Sequence, residues 1–293
     1  MRPFKHVALI GFGEVGQTLA QDLVGKATVS AWDIAFADPA SGPSRAAGRH
    51  VVRAAASARD AVAGAALIVS AVTADQDLAA AEAVAAGLPE GAFFLDLNSC
   101  SPGQKVAAAE VIEAAGGCYV EAAVMSPIAP KRIGSPMLLG GLHAEAFLAR
   151  GAALGFTGAT VYAERIGQAA ATKLCRSVMI KGIEALLTES MLAARHYGVE
   201  QVVLDSLSDL LPLPDWNRTA HYMISRSLEH GARRAEEMRE AARTVEEAGV
   251  DGLMSRATAA RQAWAANHAD ALTTSLAATL DALRHDKIEE DER

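Results

Sequence analysis

Up to about residue 163, short apolar runs alternate with segments of helical period. The runs His6–Gly11, Ala27–Asp33, Ala66–Val72, Ala92–Leu97, Cys118–Val124, Pro136–Gly140 and Ala159–Tyr162 predict strands. Between them, Val15–Leu23, Ser57–Ala63, Asp77–Gly87, Gly103–Ala115 and Ala144–Leu154 predict helices. Strands alternating with helices of this length indicate βαβ units and a mostly parallel sheet. Several of the strands are continuously apolar, as expected when helices cover both faces of a sheet.

From about Gly167 no convincing strand follows. Gln168 to Tyr197 predicts one helix of about 30 residues, or about 45 Å at the rise of an α-helix, with Gly198 as its C-cap. Pro212 and Pro214 break the chain, further helices run to about Leu283, and the charged stretch His285–Arg293 is expected to fray. The change of pattern near 164–167 divides the chain into a doubly wound Rossmann-type α/β domain over 1–164 and an all-α domain over 165–293, joined by the long helix. No internal repeat is found.

Bulk properties narrow the function. Of the 293 residues, 51% are hydrophobic and 21% charged, enough to build a sizeable core. The net charge of −8 disfavours nucleic acid and anionic membranes as partners, since both select basic surfaces. A locally basic pocket for a small anionic substrate is still compatible with it. The three cysteines, Cys100, Cys118 and Cys175, are widely spaced and form no CxxC pair, which fits a reducing cytoplasmic setting and small core residues rather than nucleophiles. The N-terminus has no signal-peptide pattern, and no apolar run is long enough to span a bilayer. The histidines, His196 among them, show no metal-ligand spacing, so no metal is expected.

The first chemical motif is Gly11-Phe12-Gly13-Glu14-Val15-Gly16, placed between an apolar strand and a helix. In that context Gly11 allows a tight turn, Gly13 lets backbone approach a pyrophosphate, and Gly16 lets helix and strand pack closely. The helix N-terminus then offers N–H groups and partial positive charge to phosphates. Asp33 lies 22 positions after Gly11, at the end of the second strand. A carboxylate there accepts hydrogen bonds from ribose hydroxyls and repels a 2′-phosphate. No Arg follows it, so NAD is expected as cofactor ahead of NADP. Val72 and Thr73 end the third predicted strand, where adenosine or ribose would lie; Thr73 as a plain N-cap is an equal reading.

Lys173 opens the long helix within Gly167-Gln168-Ala169-Ala170-Ala171-Thr172-Lys173, near the domain junction. A lysine beside a positively charged nicotinamide has a depressed pKa and can exchange a proton with a substrate hydroxyl; a solvated surface lysine is the ordinary alternative. Ser177, four positions on, shares its helical face. Arg226, His230, Arg233 and Arg234 form a second stripe. It suits either a substrate carboxylate or phosphate, or ion pairs with Glu229, Glu236, Glu237 and Glu240.

Together these residues resemble the β-hydroxyacid dehydrogenase family, which includes 3-hydroxyisobutyrate dehydrogenase and 6-phosphogluconate dehydrogenase. The resemblance covers nearly the whole chain. Beside the glycine loop, Asp96-Leu97-Asn98-Ser99-Cys100-Ser101-Pro102 is similar to the family's Asp-x-Ser-Thr-x-Ser-Pro segment. Glu121-Ala122-Ala123-Val124-Met125-Ser126-Pro127 is similar to its Asp-Ala-Pro-Val-Ser-Gly-Gly substrate loop. Gly167 to Ser177 is similar to its Gly…Lys-x-x-x-Asn helix.

The resemblance implies that Lys173 is the catalytic general acid/base. Asn98, Ser99, Ser126 and Ser177 would orient substrate, with Asn98 also touching cofactor; on the separate ground of their helical spacing, His230, Arg233 and Arg234 would anchor it. Cofactor would be held by Gly11, Phe12, Gly13, Glu14, Val15, Gly16, Asp33, Val72 and Thr73. It further implies a homodimer through the helical domain. The chain departs from the family where Ser177 replaces Asn, Met125-Ser126 replaces Ser-Gly, Asn98 replaces Ser, and Glu236-Glu237 stands for a Lys-Asp pair. These changes point to a divergent branch whose helical domain is of unknown function.

The expected activity is hydride transfer between NAD(H) and a small hydroxy acid or its keto or semialdehyde form. The alternatives are an imine reductase on the same scaffold and a non-catalytic dinucleotide-binding sensor.

Overall fold

A computed structural model describes residues 4–210 and 215–291. The break expected at Pro212 and Pro214 lies outside the described residues. The chain forms two compact units, Met1–Leu174 and Cys175–Arg293.

The first unit holds strands β1 (His6–Ile10), β2 (Thr28–Trp32), β3 (Arg53–Ala54), β4 (Leu67–Ser70), β5 (Phe93–Asp96), β6 (Cys118–Val124), β7 (Met137–Gly140) and β8 (Ala159–Ala163). They make one sheet in the order β3-β2-β1-β4-β5-β6-β7-β8. Every neighbouring pair is parallel except β6 with β7. Its helices are α1 (Glu14–Leu23), α2 (Gly42–Ala47), α3 (Ala58–Val62), α4 (Asp77–Ala85), α5 (Pro102–Ala114), α6 (Ile128–Lys131) and α7 (Ala144–Gly151). The doubly wound sheet is therefore as the sequence pattern predicts.

The continuously apolar strands are explained by cover on both faces. Val7 and Leu9 of β1 face one core with Leu19, Leu23, Leu95 and Phe147. Ala8 and Ile10 face the other with Val62, Val84, Phe94 and Ile112. Removing a Leu or Ile side chain from water contributes about 1.5–3 kcal/mol, so strands buried on both sides anchor the unit. Three elements were not anticipated: β3, α2 and the four-residue α6. β3 has only two residues, both exposed, so it carries no periodic signal. α2 is six residues long and opens Gly42-Pro43, which reads as loop; Ser41 caps it by accepting from the Ser44 N–H.

Strand order runs outward in both directions from β1 and β4. In such sheets ligands bind outside the carboxyl ends of the strands at this switch point. The residues following β1, β2, β4, β5 and β6 all emerge at that edge, because these strands are parallel.

Helix α8 (Gln168–Tyr197) begins in the first unit and continues into the second, and Gly198 follows it at φ +69°, the left-handed conformation of a C-cap glycine. The second unit continues with α9 (Glu200–Leu210), α10 (Trp216–Glu247), α11 (Leu253–Ala266) and α12 (Leu276–Asp291). Its core includes Leu187, Met191, Leu204, Trp216, Ile224, Leu228, Leu280 and Leu283. α12 extends to Asp291, beyond the Leu283 at which the sequence pattern ends. No described helix is long and apolar enough to cross a membrane.

Candidate functional site

The glycine loop follows β1 directly. Gly11 sits at φ +93°, and a Cβ there would lie 2.3 Å from the Ala71 carbonyl oxygen at the end of β4. A Cβ on Gly16 would lie 2.2 Å from the Gly11 carbonyl oxygen, so the first turn of α1 packs backbone to backbone on the loop. Gly13 differs: a Cβ there would meet nothing within 4 Å. The fold itself does not need a glycine at 13, but close approach of a phosphate to the backbone does. Gly13 is the N-cap of α1 and supplies no side chain to cap it, so the helix N-terminus offers its N–H groups outward. Of the motif, Phe12 and Gly16 are buried, Val15 is half-buried, and Gly13 and Glu14 are exposed. These features fit a dinucleotide pyrophosphate.

Asp33 braces this loop. Its Oδ2 accepts from the Phe12 N–H at 2.7 Å, and its Oδ1 accepts from the Ala35 N–H at 2.8 Å. The carboxylate thus joins the ends of β1 and β2 and still carries lone pairs for ribose hydroxyls.

At the end of β4, the Val72 N–H donates to Asn98 Oδ1 at 2.7 Å. Thr73 is the N-cap of a 3-10 turn over Ala74–Gln76, but its hydroxyl does not cap; it donates to Asp75 at 2.6 Å. Asn98 is buried, and Nδ2 donates to Ser70 Oγ at 2.9 Å and to Asp77 Oδ1 at 2.6 Å. Its amide therefore ties β4, α4 and the end of β5 together.

Beneath Asn98 lies a buried charged cluster that the sequence reading missed. Lys105 Nζ is 2.6 Å from Asp96 Oδ1, and the Tyr119 hydroxyl donates to Asp96 Oδ2 at 2.6 Å. Cys100 Sγ donates to Asp77 Oδ2 at 3.0 Å. Burial pushes the Asp96 carboxyl up to about 6, against the pull of Lys105. Burial also pushes the Cys100 thiol far above its usual range, so it is no nucleophile. Ligand atoms of Asp77, Asp96 and Cys100 lie within 4.8 Å of one another. All three are buried and already bonded to protein partners, which marks a structural knot rather than an open metal site. A signal existed in the sequence: Lys105 shares spacing with Ala108, Ala109 and Ile112, the buried face of α5.

Lys173, in the second turn of α8, reaches this same edge. It is half-buried, and Nζ donates to Ser99 Oγ at 2.5 Å. Glu121 sits in mid-β6, and its two oxygens accept from the Gly167 and Ala170 N–H groups at 2.7 and 2.6 Å. Burial pushes its carboxyl upward, opposed by Lys105 and by these two bonds. Ser126, past the end of β6, donates through its hydroxyl to the adjacent Pro127 carbonyl at 3.1 Å.

The remaining expected residues lie in the helical unit. Ser177 Oγ accepts from Lys181 Nζ at 3.2 Å, and Lys181 is 2.5 Å from Glu237 Oε2. Arg234 is buried and paired with Glu184. Arg233 is exposed and lies 3.4 Å from Glu237. His230 lies 2.5 Å from Arg226 Nη1 and 3.7 Å from Glu229. The basic stripe therefore makes ion pairs within its own unit, the alternative to a substrate anchor. Cys175, expected in a core, is exposed.

Residues 6–167 match the family described as the NAD binding domain of 6-phosphogluconate dehydrogenase, and residues 194–265 match a domain of unknown function, DUF1932. No protein of curated function matches the chain. Among solved structures, the chain is 36% identical to a conserved hypothetical protein from Sinorhizobium meliloti 1021, covering 96% of each chain with a TM-score of 0.76. It is 28% identical to MTH1747, a protein of unknown function described as structurally similar to 3-hydroxyacid dehydrogenases, covering 89% of this chain and 97% of that one (TM-score 0.70). The 3-hydroxyisobutyrate dehydrogenase of Mycobacterium tuberculosis, solved with L-serine, shares the fold at 20% identity, covering 96% and 99% with a TM-score of 0.72. The glycine loop, the Asp33 brace and the doubly wound sheet agree with the matched region: the chain belongs to the family of the NAD binding domain of 6-phosphogluconate dehydrogenase.

Proposed function

We propose that the chain is an NAD-dependent oxidoreductase acting on the CH–OH group of a small anionic hydroxy acid, or on its keto or semialdehyde form, with Lys173 as general acid/base. The observation that carries this reading is the 2.5 Å hydrogen bond from Lys173 to Ser99. It holds an amine at the carboxyl edge of the sheet, beside the loops that suit a dinucleotide. Bound NAD supplies the acceptor for the substrate's hydride. In oxidation Lys173 Nζ, when neutral, takes the proton leaving the substrate hydroxyl; in reduction it returns that proton. Ser99 Oγ accepts from the amine and can donate a hydrogen bond through its own O–H to a substrate oxygen. Asp33 takes the ribose hydroxyls and disfavours a 2′-phosphate, hence NAD ahead of NADP. The same reading has the chain acting in the cytoplasm as a homodimer, with the exposed Met179, Ile180, Leu186 and Val202 of the helical unit offering apolar surface to a second copy.

Lys173→Met tests the assignment. NADH binding, followed by fluorescence, should stay within about threefold of wild type. Turnover across a panel of small hydroxy acids should fall about 10²–10⁴-fold, the usual share of a positioned acid/base. Turnover that survives removes Lys173 from the chemistry. Faster reduction of cyclic imines than of keto acids would favour an imine reductase, and NADH binding without any turnover a sensor.

A further inference from the structure

Glu121 is fully buried in the middle of an otherwise apolar strand. Among the described residues its carboxylate accepts no hydrogen bond from the sheet. Both oxygens instead accept from Gly167 and Ala170, the residue preceding α8 and the third residue within it. Those N–H groups have no partner inside a helix, and a carboxylate there also complements the helix dipole.

Two glycines make the contact possible. Gly140 stands opposite Glu121 in the antiparallel register, and a Cβ on it would lie 2.6 Å from Glu121 Oε2. Gly167 adopts φ +94° and packs against Pro102 at the start of α5, where a Cβ would meet Pro102 Cβ at 3.0 Å. The start of α8 is thus gripped from β6 and seated on α5. Lys173 lies three residues beyond Ala170 in the same unit, so any slide or rotation of that first turn carries its amine with it.

We propose that Glu121 is the positioning residue for Lys173: by holding both N–H groups it fixes the height and rotation of the first turn of α8, and so the place of the amine against Ser99. This rests on the reading of Lys173 as general acid/base. Glu121 touches no substrate and moves no proton itself. Glu121→Gln preserves size but turns an NH2 group toward one of the two N–H donors. Gly140→Ala keeps the carboxylate and crowds it from across the strand.

The test uses the NADH-bound protein with its lysines ¹³C-dimethylated, the Lys173 signal being assigned from its loss in Lys173→Met. In Glu121→Gln and in Gly140→Ala, the Lys173 methyl resonance and its titration midpoint should move while those of the exposed Lys5, Lys26 and Lys131 stay in place. With the best hydroxy acid of the panel, kcat should fall about a hundredfold, as expected for a misplacement of about 1 Å, with KM within about threefold. An unmoved Lys173 signal in a folded variant overturns the inference, as does an unchanged kcat in a variant series where Lys173→Met is inactive. If Lys173→Met remains active, the acid/base reading fails, and the resonance alone decides whether Glu121 places the amine. Should Glu121→Gln not fold, Gly140→Ala supplies both readouts.

Discussion

Lys105 and Lys181 are both buried lysines within 2.6 Å of a carboxylate, and their surroundings drive them in opposite directions. For Lys105, in the dinucleotide unit, burial pushes the pKa down, but Asp96, Cys100 and Asp77 outweigh it and the amine ends above its ordinary value. For Lys181, in the helical unit, burial again pushes down. Glu237 opposes this, the neighbouring Arg234 and Arg233 add to it, and the amine ends below its ordinary value. The nearest contact is alike in both cases. The sign is set by the charges behind it: carboxylates at the end of β5 and the start of α4 for Lys105, guanidinium groups on α10 for Lys181.

The comparison breaks most sharply at Lys105. Lys105→Met leaves Asp96 and Asp77 buried without their cation, and removing one partner of such a pair costs about 3–5 kcal/mol. Urea unfolding should report that loss; a change below about 1 kcal/mol would mean the cluster does not depend on the charge.

Lys181→Met should be milder, about 1 kcal/mol near neutral pH, because Glu237 keeps Arg233 at 3.4 Å and is partly exposed. Its pH dependence is the sharper test. The folded pKa lies below 10.5, so between the two values the unfolded chain binds more protons, and the Lys181 contribution to stability rises with pH. Wild type should therefore gain on Lys181→Met as pH climbs toward 10.5. A flat or falling difference would place Lys181 with Lys105.

What the sequence made legible follows the range of the interactions. The glycine loop with Asp33, seven of the eight strands and the ends of α8 rest on local periodicity, turn chemistry and capping. The roles of Glu121, Lys105 and Asn98 do not. Glu121 meets Gly167, just before α8, and Ala170 within it, 46 and 49 positions away, and Asn98 meets Ser70 and Asp77 across the sheet edge. A charge inside an apolar strand or on the apolar face of a helix signals that a buried partner exists, without naming it. The partner of Arg234 on α10 was illegible for the same reason: it pairs with Glu184 of α8, 50 positions earlier.

The two units also differ in how they treat a buried amide. Asn98 bonds through both ends of its side chain, to Ser70, Asp77 and the Val72 N–H. Gln262 on α11 is also buried, yet among the described residues neither Nε2 nor Oε1 has a partner. It sits where α10 and α11 touch backbone to backbone: a Cβ on Gly231 would lie 2.4 Å from the Gln262 carbonyl oxygen. A buried unsatisfied polar group costs about 1–3 kcal/mol, whereas an apolar group of similar shape carries no such penalty. Gln262→Leu should therefore stabilise the protein by about 1 kcal/mol, the packing lost with the amide offsetting part of the gain, and raise Tm by about 2–4 °C. Asn98→Leu, at a satisfied amide, should destabilise. Thermal unfolding of the pair decides the contrast: if Gln262→Leu also lowers Tm, the amide is bonded in the assembled protein and the two units treat buried polar groups alike.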